Sequence, residues 1–570
     1  MMVKLTIDNL PVEVAEGTTI LDAAKTVGVF LPTLCYMKDL NDIGACRVCV
    51  AEVEGRKKLV TTCNTPVEEG MVVRTNSAKA GTARMVNMQL LLSQHDSNCT
   101  SCVSSTRCEL QRLANELGVL SVPYEKHVPE RKWDMTQPLI KEDAKCIKCM
   151  RCVQLCKNQQ ALGVWGLDGT GARTTVDVSQ GREFSESDCA LCGQCISACP
   201  TGALSARDDA LKALLALSEP GVITAVHVSP AVLQTWGETF GLTKETATPE
   251  RLVAALKKVG FHYVYYTGID GDLSIMEESG QFIRKYINRT HENFPLFTSY
   301  CPAWVRFAKA RYPELVGQIS TAKSPQQMFG VLAKTHLAKT LNTDPSKIYC
   351  ISLEQCIAKK AERLLPGMDS TGTGPDVDLV LTPAEIRRII STEHIRPENL
   401  PEEKFDVIAE LGQGSGVILR GEGGAMEAAL RTVYYNITGK FAEYNAFSRV
   451  RVRNGWREAN LEIEGQTLKV AVVRGLGNAQ KLIEAMKRGI YKYDFVEVTA
   501  CPGGCSQTVC ADDENIESLY GVKRKSVLRF ESASPAGSAV YEKLQNSDTV
   551  QSIHRSMSVD HKAWDIPQGR

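Results

Sequence analysis

Cysteine carries the chemistry of this sequence. Of the 21 cysteines among 570 residues, all but Cys350 and Cys510 fall into five groups whose spacing suits ligation. Soft thiolates select iron–sulfur centres or zinc over hard cations. Two groups repeat one pattern: Cys146, Cys149, Cys152 and Cys156, then Cys189, Cys192, Cys195 and Cys199, the last followed by Pro200. A third holds Cys35, Cys46, Cys49 and Cys63, with Gly44 in a loop whose amides can approach sulfur. In a fourth, His95 precedes Cys99, Cys102 and Cys108. The fifth is scattered over the C-terminal half as Cys301, Cys356, Cys501 and Cys505. If the fold gathers these, four thiolates form the usual donor set of a cubane cluster.

Composition narrows the setting. Lys and Arg together number 66, as do Asp and Glu, so net charge gives no reason to expect nucleic acid or an acidic membrane surface as partner. No run approaches the length of an apolar span, and Met-Met-Val-Lys-Leu-Thr-Ile-Asp alternates like a strand, unlike a signal peptide. A cytoplasmic protein without a membrane span is expected, and there thiols stay reduced. A nucleotide fingerprint is missing: Gly412-Gln413-Gly414-Ser415-Gly416 is too short for the glycine spacing of a dinucleotide loop. Nucleotide chemistry is therefore assigned to another subunit.

The elements that must position these thiols divide the chain into five segments. Residues 1–79 open with alternating stretches Val3–Ile7 and Val12–Val14 and a helix from Thr18 or Thr19 through Lys25. That order resembles the β-grasp [2Fe-2S] ferredoxin domain. The ten residues between Cys35 and Cys46 exceed the four of the plant-type run, a gap similar to that at the head of complex I's large subunit and of long iron-only hydrogenases. A zinc ribbon is the alternative for two Cys pairs. In residues 80–137 a helix over Ala80–Ser93 leads to His95, and the resemblance to the same two families implies a [4Fe-4S] site with one histidine and three cysteines. Residues 138–215 resemble the bacterial two-cluster ferredoxin. That arrangement implies one cubane on Cys146, Cys149, Cys152 and Cys199, and another on Cys189, Cys192, Cys195 and Cys156.

From residue 216 to 530 the pattern becomes α/β. Val222–Val228, Tyr263–Tyr266, Val407–Ala409, Val417–Leu419 and Leu468–Val473 read as buried strands, with a helix over Leu252–Val259. Cys301, Cys356 and Cys501 each follow such a run, where parallel sheets carry their functional loops. Residues 531–570 are short, polar and broken by Ser-Pro-Ala-Gly, and read as a tail. The expected fold class is multidomain α+β and α/β.

The chain as a whole resembles the catalytic subunit of a long [FeFe]-hydrogenase. The matching pieces are Met276-Glu277-Glu278, Thr298-Ser299 with Cys301-Pro302 and Trp304, and Ala322-Lys323-Ser324-Pro325-Gln326-Gln327. Cys356 with Lys359-Lys360, Gly423-Gly424 with Met426-Glu427-Ala428-Ala429-Leu430-Arg431, and Cys501-Pro502-Gly503-Gly504-Cys505 complete the set. The resemblance implies a cubane on Cys301, Cys356, Cys501 and Cys505, the last bridging to a two-iron unit with CO and cyanide. It also implies a proton route through Glu278 and Ser320, and Lys359 as a cyanide partner.

The departures gather on the two-iron side. Tyr300 stands where relatives carry the proton-donating cysteine, and a phenol with pKa about 10 shuttles protons less readily than a thiol at about 8.5. Gln281 replaces an acid of the route. Glu354, Thr499 and Arg420 alter the pocket wall. These changes predict a site that keeps its cubane and lacks the diiron unit.

Two functions follow from this resemblance. One is an iron–sulfur relay with one [2Fe-2S] and four [4Fe-4S] clusters, in a flavin-based electron-bifurcating NAD(P)H/ferredoxin oxidoreductase of the transhydrogenase type. Its partners would be a flavoprotein with FMN and NAD(P)H, a small thioredoxin-like [2Fe-2S] subunit, and ferredoxin. The other is a genuine or sensory [FeFe]-hydrogenase slowed by Tyr300.

Overall fold

Two β-branched strands and a reversed turn start the chain. Met2–Ile7 pairs antiparallel with Leu10–Ala15 through Asp8 and Asn9, both at positive φ, the conformation that a two-residue hairpin demands. The computed structural model describes the chain except residues 106, 130, 267–268, 288–294, 408–423, 441, 444–445, 448–449, 451–454, 464, 506–555 and 565–570. It forms two units, Met1–Ser187 with Gly193–Arg207, and Asp188–Cys192 with Asp208–Arg570.

In the first unit that hairpin belongs to a five-stranded sheet, ordered Leu10–Ala15, Met2–Ile7, Val72–Arg74, Val50–Val53, Val60–Thr61. Val3, Leu5, Ile7, Val12 and Val14 point to one face and pack on Ile20, Ala23 and Ala24. Those three lie on the helix Ile20–Thr26, whose first turn is capped by the Thr19 hydroxyl accepting from Asp22 N. Helices Ala78–Ser93 and Glu109–Glu116 follow. The cysteine repeat is also a repeat of backbone conformation: Lys148 and Met150 in the first run, Leu191 and Gly193 in the second, all adopt positive φ. Each run then enters a short helix, Arg151–Gln154 or Gln194–Ala198.

The second unit has two four-stranded sheets. In one, Tyr263–Tyr266, Ile223–Val228, Ile348–Leu353 and Leu379–Leu381 run parallel. In the other, Leu296–Phe297, Phe495–Thr499 and Gln466–Arg474 are parallel and Trp456–Ile463 closes the edge antiparallel. Runs buried on both faces explain the continuous Val/Ile/Leu pattern. Of the expected strands, Val417–Leu419 and most of Val407–Ala409 lie outside the described residues.

Buried charges fix the loops between these strands. Lys360 Nζ meets Asp209 at 3.0 Å and Glu385 at 2.8 Å, and Lys323 meets Asp376 at 2.8 Å, all nearly inaccessible to water. His227 joins Ser352 at 3.0 Å and Asp270 at 3.1 Å; all three are sealed in the core, so this row ties strand to strand and helix.

Residues 556–564 are part of this core. Lys323 N donates to Met557 O, Val559 N donates to Thr321 O, and His561 Nε2 donates to Ser320 O at 2.9 Å. Trp564 is buried beside His561. Polar composition concealed these anchors: Met557, Val559, His561 and Trp564 are all buried, Met557 among Leu273, Ala322, Met328 and Leu332.

Candidate metal centres

The Cys35, Cys46, Cys49 and Cys63 thiols are buried and in mutual contact. Cys46 and Cys49 are held down to about 6, each first by a hydrogen bond from another thiol, Cys35 and Cys63 respectively. Those two donors are pushed up in return, first by the same hydrogen bonds. Four thiols sharing protons in this way are poised to exchange them for metal. Asn41, which no spacing rule singles out, donates from one amide to Cys35 O at 2.7 Å and to Cys149 O at 2.9 Å.

Cys99, Cys102 and Cys108 lie within electrostatic reach of one another; burial first, then these neighbours, pushes Cys108 up. His95 is buried, its pKa lowered chiefly by that burial. Among the described residues its Nδ1 has no hydrogen-bond partner. A neutral imidazole with an orphaned ring nitrogen is the form in which histidine binds metal.

Cys146, Cys149, Cys152 and Cys199 line one cavity together with Lys141, Met150, Trp165 and Pro200. Burial pushes Cys146 up to about 11 and Cys149 up to about 12, and raises Cys152 well above the ordinary thiol range. Thiols that resist ionisation by themselves become thiolates when a cation enters, so the donor set fits a cluster. Among the described residues no His, Cys, Asp or Glu trio closes on a single metal ion; the thiols surround open space instead. Lys141, buried against Asp143 and 3.7 Å from Asp177, places a cation beside this cavity. Cys156 accepts from Val164 N at 3.4 Å, Cys189 from Leu191 N at 3.4 Å, and Cys195 is buried on its short helix. Cys192 is half-buried.

In the second unit three strand ends deliver the remaining set. Cys301 caps the helix Pro302–Arg311, Cys356 caps Ile357–Glu362, and Cys501 follows Phe495–Thr499. Cys301 Sγ accepts from Ala500 N at 3.5 Å. Burial, then Cys301, pushes Cys356 up to about 12. Burial, then Cys301, Cys501 and Cys356, raises Cys505 well above the thiol range. Cys505 keeps part of its surface exposed. Four cysteines spread over two hundred residues of sequence thus come together. Arg306 on the first helix donates to Cys189 O at 3.3 Å, and Arg311 pairs with Asp188 at 2.6 Å.

Around these thiols the pocket residues take definite partners. Tyr300 donates its hydroxyl to Glu497 at 2.9 Å, and the other Glu497 oxygen accepts from Met426 N at 2.6 Å. Burial first, then Glu497, raises Tyr300 well above the phenol range. Glu278, pushed up to about 8 by burial, accepts from Ser299 N at 3.0 Å and bonds Ser320. Ser320 donates to Gln281 at 3.2 Å, and Gln281 donates to Thr321 at 2.8 Å. The Tyr300 hydroxyl is spent on Glu497, outside this row. Lys359 pairs with Glu362 at 3.2 Å and reaches Tyr300 O at 3.4 Å. Glu354 is raised by burial, against the pull of Lys359 and His227. Thr499 is buried and its hydroxyl has no described partner. Arg420 lies outside the described residues. Glu497 and Arg474 were missed from sequence, although a charge ending the apolar run Val470–Val473 was a visible anomaly.

Four families match successive parts of the chain. Residues 1–78 match a 2Fe-2S iron-sulfur cluster binding domain and residues 84–123 the NADH-ubiquinone oxidoreductase-G iron-sulfur binding region. Residues 145–203 match a 4Fe-4S dicluster domain and 222–508 the iron only hydrogenase large subunit, C-terminal domain. The chain is similar to the NADP-reducing hydrogenase subunit HndD of Solidesulfovibrio fructosivorans, 39% identical over 516 residues covering 88% of each chain. Iron hydrogenase 1 of Clostridium pasteurianum is 33% identical over 512 residues, again 88% of each. Among solved structures, an apo variant of [FeFe]-hydrogenase HydA1 from Chlamydomonas reinhardtii superposes with a TM-score of 0.55 at 30% identity, covering 63% of this chain and 100% of that one. Among the described residues no helix is long and apolar enough to cross a membrane.

Proposed function

Because the chain belongs to the iron-only hydrogenase large-subunit family, we propose that it is the iron–sulfur electron-transfer subunit of a multi-subunit, flavin-based electron-bifurcating NAD(P)H/ferredoxin oxidoreductase, hydrogenase-like but lacking the diiron unit. The observation that carries this reading is the direction of Tyr300. Its hydroxyl bonds Glu497, while the acid row Glu278–Ser320–Gln281 closes on an amide. An amide cannot exchange protons as a carboxylic acid does, so both ends of the route lack a donor suited to proton reduction.

The ligand assignments complete the proposal. A [2Fe-2S] cluster sits on Cys35, Cys46, Cys49 and Cys63 in a β-grasp head. One cubane takes His95, Cys99, Cys102 and Cys108; two take the crossed sets of the cysteine repeat; the fourth takes Cys301, Cys356, Cys501 and Cys505. When bound, these clusters supply one-electron carriers. The residues do the rest: Lys141 and Arg306 set charge near the thiols, apolar packing excludes water, and Asn41 fixes one loop to another. FMN and NAD(P)H belong to a flavoprotein partner, a thioredoxin-like [2Fe-2S] subunit and ferredoxin join it, and the assembly is a cytoplasmic hetero-oligomer. Similarity to HndD, an NADP-reducing hydrogenase subunit, supports the nicotinamide link.

Iron analysis and infrared spectroscopy of the matured protein test this. About 18 iron atoms per chain, without bands of iron-bound CO or cyanide, are expected. About 20 iron atoms with those bands would establish a hydrogenase with slow proton transfer instead.

A further inference from the structure

Arg474 ends the strand Gln466–Arg474 and is the register partner of Thr499, two residues before Cys501. It is 2% exposed. Among the described residues its Nε has no hydrogen-bond partner and no carboxylate forms an ion pair with it. Its guanidinium lies against Gly504, next to Cys505: a Cβ built on Gly504 would collide with Nη1 and crowd Cζ. Gly504 has φ +78°, so this loop is shaped for a residue without a side chain, and the cation fills the space. Glu497 feels the charge of Arg474 and accepts from Tyr300 and Met426 N.

A guanidinium keeps its proton in a protein, and burying a charge that no carboxylate meets in an ion pair is costly. Besides Glu497, the anion that this geometry offers is the thiolate set itself. A cubane on four thiolates is negatively charged, and one-electron reduction adds a further negative charge. A cation beside it therefore stabilises the reduced state more than the oxidised one.

Lys359 also brings its charge to bear on Cys301, Cys356 and Cys505. We propose that Arg474 is, in addition to Lys359, a counter-ion of the four-cysteine centre, holding a cubane on Cys301, Cys356, Cys501 and Cys505 at a raised potential and so making it an electron sink at the end of the relay. The inference rests on the reading that these cysteines bind a cubane. The step is a one-electron reduction by another reduced cluster of this chain; no bond forms or breaks and no proton moves. Arg474 is a positioning residue, acting through charge on the cluster ligands.

The test is a redox titration, followed by electron paramagnetic resonance, of the full-length reconstituted chain and its Arg474→Met and Arg474→Lys variants, the relevant signal assigned by its loss in Cys356→Ala. Arg474→Met is expected to shift the midpoint negative by at least tenfold in the oxidised-to-reduced ratio, 59 mV for one electron, and Arg474→Lys to recover most of that shift. An unmoved midpoint in Arg474→Met at wild-type iron content overturns the proposal. If Arg474→Met loses the cluster, Arg474→Gln is titrated in its place, and an unmoved midpoint there overturns it equally. A Cys356→Ala chain with undiminished iron would instead sink the cubane assignment, a result read separately from the titration.

Discussion

Cys35, Cys46, Cys49, Cys63 and Cys149 of the first unit sit in hydrophobic cores, whereas Cys301, Cys356, Cys501 and Cys505 of the second are ringed by buried charge. Cys35, Cys46 and Cys149 share one core with Leu34, Val48, Met88, Leu110 and Ile147, and Cys49 and Cys63 pack on Leu21. Around Cys301, Cys356, Cys501 and Cys505 stand Lys359, Glu354, Glu497 and Arg474. An apolar shell fixes geometry and keeps water out; a charged shell sets potential and proton affinity. The contrast suggests conduits in one unit and a tuned terminus in the other.

The most severe break is expected in the apolar region. Cys146→Ala should remove about four iron atoms and stop transfer through the chain while a flavoprotein partner still reduces dyes; unchanged throughput would refute the conduit role. Next in size, Trp564→Ala should lower the stability of the second unit by about 3–5 kcal/mol. Hydrogen exchange would locate that loss around residues 320–323, and the visible circular dichroism of the [2Fe-2S] head should not change.

A smaller effect sharpens the charged side. Burial raises Glu278 to about 8, above its unfolded value, so its contribution to stability is complete below that unfolded value and is lost as pH rises through about 8. The denaturation midpoint of the wild type should therefore fall between pH 5 and pH 8 by an amount worth roughly 3–4 kcal/mol, and Glu278→Gln should flatten that slope. An equal slope in both proteins would show that Glu278 ionises freely. Least of all, Tyr300→Phe should cost about 1–2 kcal/mol by leaving Glu497 one donor short, as calorimetry on the apo chain would show; a neutral substitution would mean that this hydrogen bond is dispensable.

Legibility in the sequence followed the same division. The hairpin from Met2, the helix capped by Thr19 and the cysteine repeat are local patterns, and periodicity or spacing reveals them before any fold is known. The parallel strands before Cys301, Cys356 and Cys501 were also visible as apolar runs. Glu497 and Arg474 were not, because their meaning comes from strand register: Arg474 faces Thr499 only once two strands 20-odd residues apart pair. Residues 556–564 were read as tail for a related reason. His561 and Trp564 look isolated in sequence, and only the groove beside Ser320 makes them core.

Asn41 shows what such wiring implies for ancestry and engineering. One carboxamide holds the carbonyls of Cys35 and Cys149, residues that belong to separately recognisable cassettes. A head transplanted from another protein without an amide at this position would fold, bind iron and yet leave the inter-cassette spacing free to breathe. Since tunnelling falls steeply with distance, a shuffled module could be chemically complete and electrically poor. Compatibility between cassettes would then be decided by a side chain that binds no metal at all.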